Sequence, residues 1–435
     1  MPRLLIGNEF NEDSAALADA RQKKTAWWTQ RLIWFARDHD VLVMAVAPDE
    51  EYLRYVTSLT GARPEALTIV VPPPGSMGVA VLSADRLVAP SFLAELRTVL
   101  GERPVDEVFF LHPDASVARL ARALGVESAL PGYGFLAQGG GRLVNSKPAF
   151  RAIAGGTGIP LPEGGVCTNV PEADALIGHL LFQGKSVILK HEFRAGGRGN
   201  EILSPVEGVL PVGAHRTVVV PEPSALRAYL GTRWDWLSSQ GKNPVVVEEY
   251  IPDSRAVFAE FALSDDGVEF AAQGEMISAP LAAAEIIPAP DLTERVLDGL
   301  LEGGRKLCAP LQAFGYRGLL SADAVVTPDE RLLFTEYNAR VTGSTHVYGI
   351  IGAQLVGKDY ARERILLERE GWPVPSFRSA IDALSGKGLL YDPDTRCGVV
   401  LIMPYNPTNS SIRYCIVARS VEAGRAQQDV VEALF

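Results

Sequence analysis

The chain has 435 residues, too many for one hydrophobic core, so roughly two to four domains are expected. Hydrophobic residues make up 47% and charged residues 21%, the balance of a soluble globular protein, and a net charge of −11 argues against a nucleic-acid partner. Cys167, Cys308, Cys397 and Cys415 form no Cys-x-x-Cys, and the six histidines form no His-Glu-x-x-His, so no zinc site or disulfide framework is signalled.

The start, Met-Pro-Arg-Leu-Leu-Ile-Gly-Asn-Glu, reaches charge too soon for a signal peptide. No run of about 18 apolar residues exists to span a bilayer, so a cytoplasmic protein without a membrane partner is expected. Strands are predicted over 3–6, 41–47 and 105–111, and helices over 15–36 and 115–124. This alternation implies an α/β domain with a parallel, doubly wound sheet. Ligands bind beyond the carboxyl ends of such strands, which makes Gly7, Asn8, Glu9, Pro48 and Asp49 secondary candidates. Gly132-Tyr-Gly-Phe-Leu-Ala has the letters of a dinucleotide fingerprint but neither the preceding strand nor the following helix, and it is discarded.

Asn145-Ser-Lys-Pro opens a helix with Ser146 as N-cap and Pro148 in the first turn. Lys147 there opposes the helix dipole unless an anion is close, a hint of phosphate. A strand over 186–190 ends on Lys190 and feeds a glycine-rich loop, His191-Glu-Phe-Arg-Ala-Gly-Gly-Arg-Gly-Asn. Its glycines permit positive φ and an anion-binding nest of backbone N–H groups, and no Walker pattern is present. A strand over 217–220 and a helix over 224–239 precede the apolar strand Val245-Val-Val-Glu-Glu-Tyr-Ile, read as a buried sheet edge closed by Pro252. Free backbone groups over 249–251 suit an adenine edge, with Glu248 or Glu249 accepting a hydroxyl or amino hydrogen. A hairpin over 258–272 leaves Glu260 and Glu275 facing unknown partners, and an amphipathic helix covers 292–314.

Residues 318–340 carry the densest signal. Two apolar runs, 319–326 and 332–337, flank the turn-forming Thr327-Pro-Asp-Glu, a β-hairpin pattern. Glu336, Asn338 and Arg340 alternate along the second strand and so share one face. With a four-residue loop over 328–331, Asp323 stands opposite Glu336, about 5 Å away at Cβ. Two carboxylates, an amide oxygen and a guanidinium then form one patch. Mg²⁺ commonly combines one or two carboxylates with substrate phosphates, and an arginine beside it meets a phosphoryl group. A proline-rich linker is read from 371, followed by a hairpin around Asn406-Pro-Thr-Asn-Ser-Ser and a helix over 421–434.

In order, the chain presents a lysine at a helix start, a strand lysine, a glycine-rich flap, a Val-Val-Glu-Glu-Tyr-Ile connection and an Asp…Glu-x-Asn-x-Arg hairpin. That succession, over residues 140–365, resembles the ATP-grasp superfamily of carboxylate–amine ligases. Within it the chain most resembles the peptide ligases of pheganomycin-type peptide biosynthesis, which carry a short C-terminal module. The implied fold is multidomain, α/β and α+β. A doubly wound pre-ATP-grasp domain (1–140) precedes a small lobe with the flap (141–250), a large lobe with the metal site (251–370) and a β-hairpin/helix module (371–435).

The resemblance also assigns roles. Lys147 and Lys190 would hold the ATP phosphates, with Gly196, Gly197, Arg198 and Gly199 closing over them. Glu248, Glu249, Tyr250 and Ile251 would bind adenine and ribose. Asp323, Glu336 and Asn338 would ligate Mg²⁺, two ions being expected and Mn²⁺ an alternative, and Arg340 would stabilise the transferred phosphoryl group. Asp323 departs from the glutamate often found at its position and reaches less far. The implied reaction joins a carboxylic acid, a nonproteinogenic guanidino-bearing amino acid, to the α-amine of a peptide through an acyl phosphate. A cationic donor calls for an acidic pocket that the sequence does not locate. Thr342, Ser344, Thr345 and His346, with Arg255 and Arg317, are the expected substrate contacts, and a homodimer is implied by the family. The alternatives are an L-amino acid (dipeptide) ligase, a small-molecule kinase of the same fold, and a nucleotide-binding module without catalysis.

Overall fold

The computed structural model describes residues 1–9 and 26–435. Short strands β1 (Leu4–Ile6), β2 (Val41–Val43), β3 (Thr68–Val70) and β4 (Val108–Phe110) form a parallel sheet in the order β3-β2-β1-β4. Its helices follow local chemistry. Asp49 and Asp114 cap Glu50–Thr60 and Ala115–Leu124 by accepting from the Tyr52 and Ser116 N–H groups, and Gly61 and Gly125 end them in the left-handed region. Residues 15–25 of the helix predicted over 15–36 lie outside the described residues, and Thr29–Phe35 is a 3₁₀-helix.

A five-stranded sheet follows: β5 (Gly164–Cys167), β6 (Ser186–His191), β7 (Asn200–Ser204), β8 (Thr217–Val219) and β9 (Val245–Tyr250), in the order β5-β9-β6-β7-β8. The strand read as a sheet edge, β9, is therefore interior, paired on both sides.

The largest sheet is antiparallel and eight-stranded. It contains β10 (Arg255–Leu263), β11 (Val268–Ser278), β12 (Ala282–Ile287), β13 (Gly318–Val326), β14 (Leu332–Asn338), β15 (Ile365–Pro373), β16 (Gly398–Leu401) and β17 (Ser411–Ala418), in the order β14-β13-β10-β11-β12-β15-β17-β16. The helix Glu294–Ala313 buries Val296, Leu300, Leu307 and Leu311 against it. Gly303 and Gly304 are needed there, because a Cβ on either would come 2.4 or 2.3 Å from the Phe334 or Phe261 ring. The proline-rich linker is not observed. Trp372 is buried, and Trp372 and Pro373 pair with Ile412 and Ser411 at the end of β15, where a proline's missing donor is tolerated.

The C-terminal hairpin extends this sheet and docks on the N-terminal domain. Trp34 Nε1 donates to Tyr52 Oη (2.8 Å), Tyr52 Oη donates to the Ile402 carbonyl (2.7 Å), and Trp27 Nε1 donates to the Pro404 carbonyl (2.8 Å). Among the described residues no helix is long and apolar enough to cross a membrane.

Candidate active site

The hairpin of β13 and β14 places Asp323 opposite Glu336, by a route different from the one predicted. The loop has five residues, 327–331, with Val326 paired to Leu332 and the Thr327 N–H donating to the Arg331 carbonyl (2.9 Å). A bulge restores the register: Ala324 pairs with Phe334 and Asp323 with Glu336, so Thr335 is the extra residue. The Thr335 carbonyl, released from the ladder, accepts from Lys190 Nζ (3.1 Å).

Asp323 accepts hydrogen bonds from Ser321 Oγ (2.7 Å) and Asn338 Nδ2 (2.7 Å). Arg340 donates to Asn338 Oδ1 (2.5 Å) and to Asn145 Oδ1 (2.5 Å). Lys147, on the first turn of the helix Lys147–Gly156, lies 3.0 Å from Glu336 Oε2 and donates to the Arg194 carbonyl of the flap (2.8 Å). Two lysines from separate elements thus converge on one hairpin.

These charges divide the two carboxyls. Burial first, then the Glu336 charge, pushes Asp323 up to about 7 despite the Ser321 hydrogen bond. For Glu336 burial is again the largest influence and raises the value, but Lys147 and Lys190 outweigh it and hold the group below the usual range. A carboxyl that retains a proton near neutrality beside an ionised one suits a divalent cation, which would displace that proton. Among the described residues no group of three or more His, Cys, Asp or Glu side chains stands ready to hold a metal. With two carboxylates and one amide oxygen, the patch suits an ion that takes the rest of its ligands from phosphate and water, as Mg²⁺ does. For Asn338 to contribute Oδ1, its bond to Arg340 must be exchanged.

The expected nucleotide residues are placed unequally. Glu248 is 1% exposed and does not reach outward: its Oε2 lies 2.5 Å from Lys190 Nζ and its Oε1 2.6 Å from Arg151 Nη1. It shares a sheet face with Lys190 because Lys190 pairs with Val246, two residues away. Glu249 pairs with Lys185 (3.1 Å), and its N–H, expected to be free, donates to the Glu163 carbonyl (2.7 Å). Tyr250 Oη donates to the Leu210 carbonyl (3.3 Å), and Ile251 follows half-buried. In the flap Gly196 and Gly197 have φ of 63° and 72°, which glycine alone adopts without strain. A Cβ at Gly197 would meet the Gly213 carbonyl at 2.7 Å, and the Gly213 N–H donates to the Pro280 carbonyl in the turn between β11 and β12 (2.8 Å), so the tip bridges the lobes. Arg198 is half-buried in this turn and Gly199 accepts from the His191 N–H (2.9 Å).

Among the substrate candidates, Ser344 and Thr345 are buried and, with Thr342 and Tyr348, aim hydroxyls at Glu260, at 3.1 Å for Ser344 and 2.8 Å for Tyr348. Glu260 shares a sheet row with Asn338 through Ser321. Only an acid inside an apolar run, Val-Phe-Ala-Glu-Phe-Ala-Leu, marked it in the sequence. His346 is fully buried near Trp34 and kept neutral by burial, so it belongs to the core. Arg255 is engaged by Glu275 (2.6 Å) and the Pro290 carbonyl (2.6 Å), and Arg317 by Asp265 (2.7 Å) and the Gln312 carbonyl (2.7 Å). Glu9 reaches the site's edge through Arg31 (2.5 Å), which also donates to the Val341 carbonyl (3.1 Å). Asn8 donates to the His112 carbonyl (2.8 Å), the Gly7 N–H donates to the Val43 carbonyl, and Pro48-Asp49 serves only as a helix start. A cleft of about 340 Å³ lined by Arg3, Phe35, Arg37, Glu107 and Gln354 contains none of the candidate site residues.

Residues 29–126 match the Pre ATP-grasp domain family, and residues 379–430 match the PGM1 C-terminal domain. The chain is 30% identical over 162 residues to an L-propargylglycine–L-glutamate ligase of Streptantibioticus cattleyicolor, a match spanning 34% of the chain and only 32% of that ligase. Solved structures align over nearly its whole length. An ADP complex of an N5-carboxyaminoimidazole ribonucleotide synthetase has a TM-score of 0.60 at 13% identity, covering 99% of this chain and 97% of that one. An L-amino acid ligase from Bacillus licheniformis has a TM-score of 0.56 at 15% identity, covering 100% and 97%. A biotin carboxylase from Campylobacter jejuni has 0.58 at 14%, covering 99% and 90%. The chain thus shares its fold with these structures over nearly its whole length, with the Pre ATP-grasp domain match at its start and the PGM1 C-terminal domain match at its end.

Proposed function

We propose that the protein is an ATP-dependent, ADP-forming ligase that joins a carboxylic acid to an amine through an acyl phosphate. The convergence of Lys147 and Lys190 on Glu336 and the Thr335 carbonyl, beside Arg340, carries this reading. Three cations around a carboxylate pair suit a polyphosphate and its metal ion better than a neutral ligand. The matched ligase and the L-amino acid ligase, both named for joining amino acids, support amide formation over phosphorylation of a hydroxyl.

On this reading Lys147, Lys190 and the flap from Gly196 to Gly199 hold the ATP phosphates, and Tyr250 and Ile251 flank the adenine. Glu248 acts indirectly, by fixing Lys190. Asp323, Glu336 and Asn338 would hold Mg²⁺, which when bound offsets charge on the transferring phosphoryl group. A donor carboxylate oxygen attacks the γ-phosphorus, and the bond to the bridging oxygen of ADP breaks. Arg340 turns its donors from Asn338 and Asn145 to that phosphoryl group. The amine then attacks the acyl carbon, expelling phosphate with loss of a proton. Holding donor and amine together contributes on the order of 7–11 kcal/mol to lowering the barrier. The flap, closed on Gly213, keeps water from the acyl phosphate.

The donor we favour is a guanidino-bearing amino acid and the acceptor a peptide; a free amino acid as acceptor is the second reading, favoured by the matched ligase, whose name pairs two amino acids. Mass spectrometry of reactions with paired acids and amines tests both. An amide with stoichiometric ADP and phosphate is expected. AMP with pyrophosphate, or a stable phosphoester, contradicts the proposal.

A further inference from the structure

The sheet face that carries Asp323 and Glu336 carries a second pair of facing carboxylates. Asp323 pairs with Phe258 and Phe258 with Gly274, while Met276, two residues on, pairs with Glu285. Alternation therefore puts Glu285 of β12 on the face of Asp323, and Glu368 of β15 stands directly opposite it. Glu368 is fully buried, and neither of its carboxylate oxygens, nor Oε2 of Glu285, receives a hydrogen bond of proper geometry. The cation that reaches the pair is Arg413, whose Nη2 is 3.0 Å from Glu368 Oε1 and 3.2 Å from Glu370 Oε2 and whose guanidinium stacks on Trp28 at 4.5 Å. Arg31, the neighbouring guanidinium, is matched by Glu9. Arg413 is thus shared between Glu368 and Glu370, and Glu285 stands beside Glu368 without an ion pair of its own among the described residues.

Facing like charges repel, and buried acceptors without donors are costly and seldom kept where apolar packing would serve. A metal ion suits this pair poorly, because Arg413 already occupies one side of it. An organic cation does, since it brings donors as well as charge.

The pair is also near the chemistry. A Cβ built on Gly343 would lie 3.8 Å from both Glu285 Oε1 and Arg413 Nη1. Gly343 is three residues beyond Arg340, and three residues span at most about 11 Å. Thr342 and Ser344, on either side of it, bind Glu260. Gly343 thus follows Arg340 closely in the chain and abuts the second pair, with no side chain of its own to cover it.

We infer that Glu285 and Glu368 form the far end of the substrate pocket and bind an ammonium or guanidinium group of the acid whose carboxylate lies at Arg340. This rests on the ligase reading, but binding tests it without turnover. Calorimetric titrations with Mg²⁺ and a non-hydrolysable ATP analogue would compare L-arginine, L-citrulline, N-acetyl-L-arginine and N-acetyl-L-citrulline. At least one cationic ligand should bind 10-fold or more tighter than N-acetyl-L-citrulline, which carries no cationic group. Citrulline retaining the preference assigns the ammonium as the bound cation; N-acetyl-L-arginine retaining it assigns the guanidinium. Glu285→Gln and Glu368→Gln should each abolish that preference, and Gly343→Val should abolish cation binding while leaving every charge in place. Circular dichroism and thermal unfolding should show the glutamine variants folded and at least as stable, because one of two facing carboxylates is removed. Equal binding of the four compounds, no binding by any, or a preference that survives both glutamine variants overturns the inference. Failure of the ligase reading would appear separately, as ATP that is never consumed with any acid.

Discussion

Asp323–Glu336 and Glu285–Glu368 are the same construction used twice. Each is a pair of carboxylates directly opposed on neighbouring strands, on one face of one sheet. Their surroundings differ. The first is ringed by Lys147, Lys190 and Arg340, so Glu336 stays ionised although buried. Burial, then the Glu368 charge, holds Glu285 well above the usual carboxylate range, with Arg413 the first opposing influence. On the proposed reading the pair surrounded by cations takes a metal with phosphates, and the pair with fewer cations takes the cation of the acid.

Breaking the first pair's cationic ring should have the largest effect. Arg340→Ala is expected to lower kcat about 10²–10³-fold, the usual cost of losing one donor to developing charge, with a smaller change in KM. Glu336→Gln should weaken Mg²⁺ activation by at least as much, read from activity against Mg²⁺ concentration, and EDTA should abolish activity in the unaltered protein. Glu248→Gln leaves Lys190 and Arg151 without their shared carboxylate. It should raise the KM for ATP roughly 10-fold, in line with the roughly 1.5–3 kcal/mol typical of a hydrogen bond to a charged group.

The pairs also differ in proton content, which a pH series reads. Asp323 is raised to about 7 without metal, so below that pH Mg²⁺ must displace a proton. Mg²⁺ affinity should fall as pH drops from 8 to 6 and level off above about 7, as calorimetry would show. Gly303→Ala pushes on the Phe334 ring, one residue before the bulge. It should destabilise by about 1–3 kcal/mol in thermal unfolding, with the strain at the first pair and none at the second. The smallest effect is expected at Arg317→Ala. Its partner Asp265 has a side chain 90% exposed, and such ion pairs are worth about 0–1 kcal/mol. KM values for the substrates should be unaltered, which would remove Arg317 from the pocket.

The two pairs were not equally legible. The first lies on a hairpin closed within about twenty residues, where alternation and turn chemistry suffice, although the register came right only because the bulge at Thr335 offsets the longer loop. The second joins strands more than eighty residues apart in sequence. Ala-Ala-Ala-Glu-Ile-Ile of β12 is half alanine, and Ile-Leu-Leu-Glu-Arg-Glu of β15 is rich in good helix formers; pairing within the sheet makes both strands. Glu248 shows the same limit, since its orientation depends on the register of β9 against β6, where its partner is Ile188, sixty residues earlier. The PGM1 domain was visible as a hairpin and helix, but its docking through Trp27, Trp34 and Tyr52 was not, because those contacts span more than three hundred residues.

On the proposed reading, the first pair and its three cations activate a carboxylate with ATP. The direct measurement is hydroxamate formation when hydroxylamine replaces the amine, with ATP, Mg²⁺ and a panel of amino acids and guanidino acids, run beside Arg340→Ala. Hydroxamate with matching ADP, dependent on the acid and lost in the variant, is the predicted result. ADP release without hydroxamate from any acid, or hydroxamate undiminished in Arg340→Ala, would contradict it.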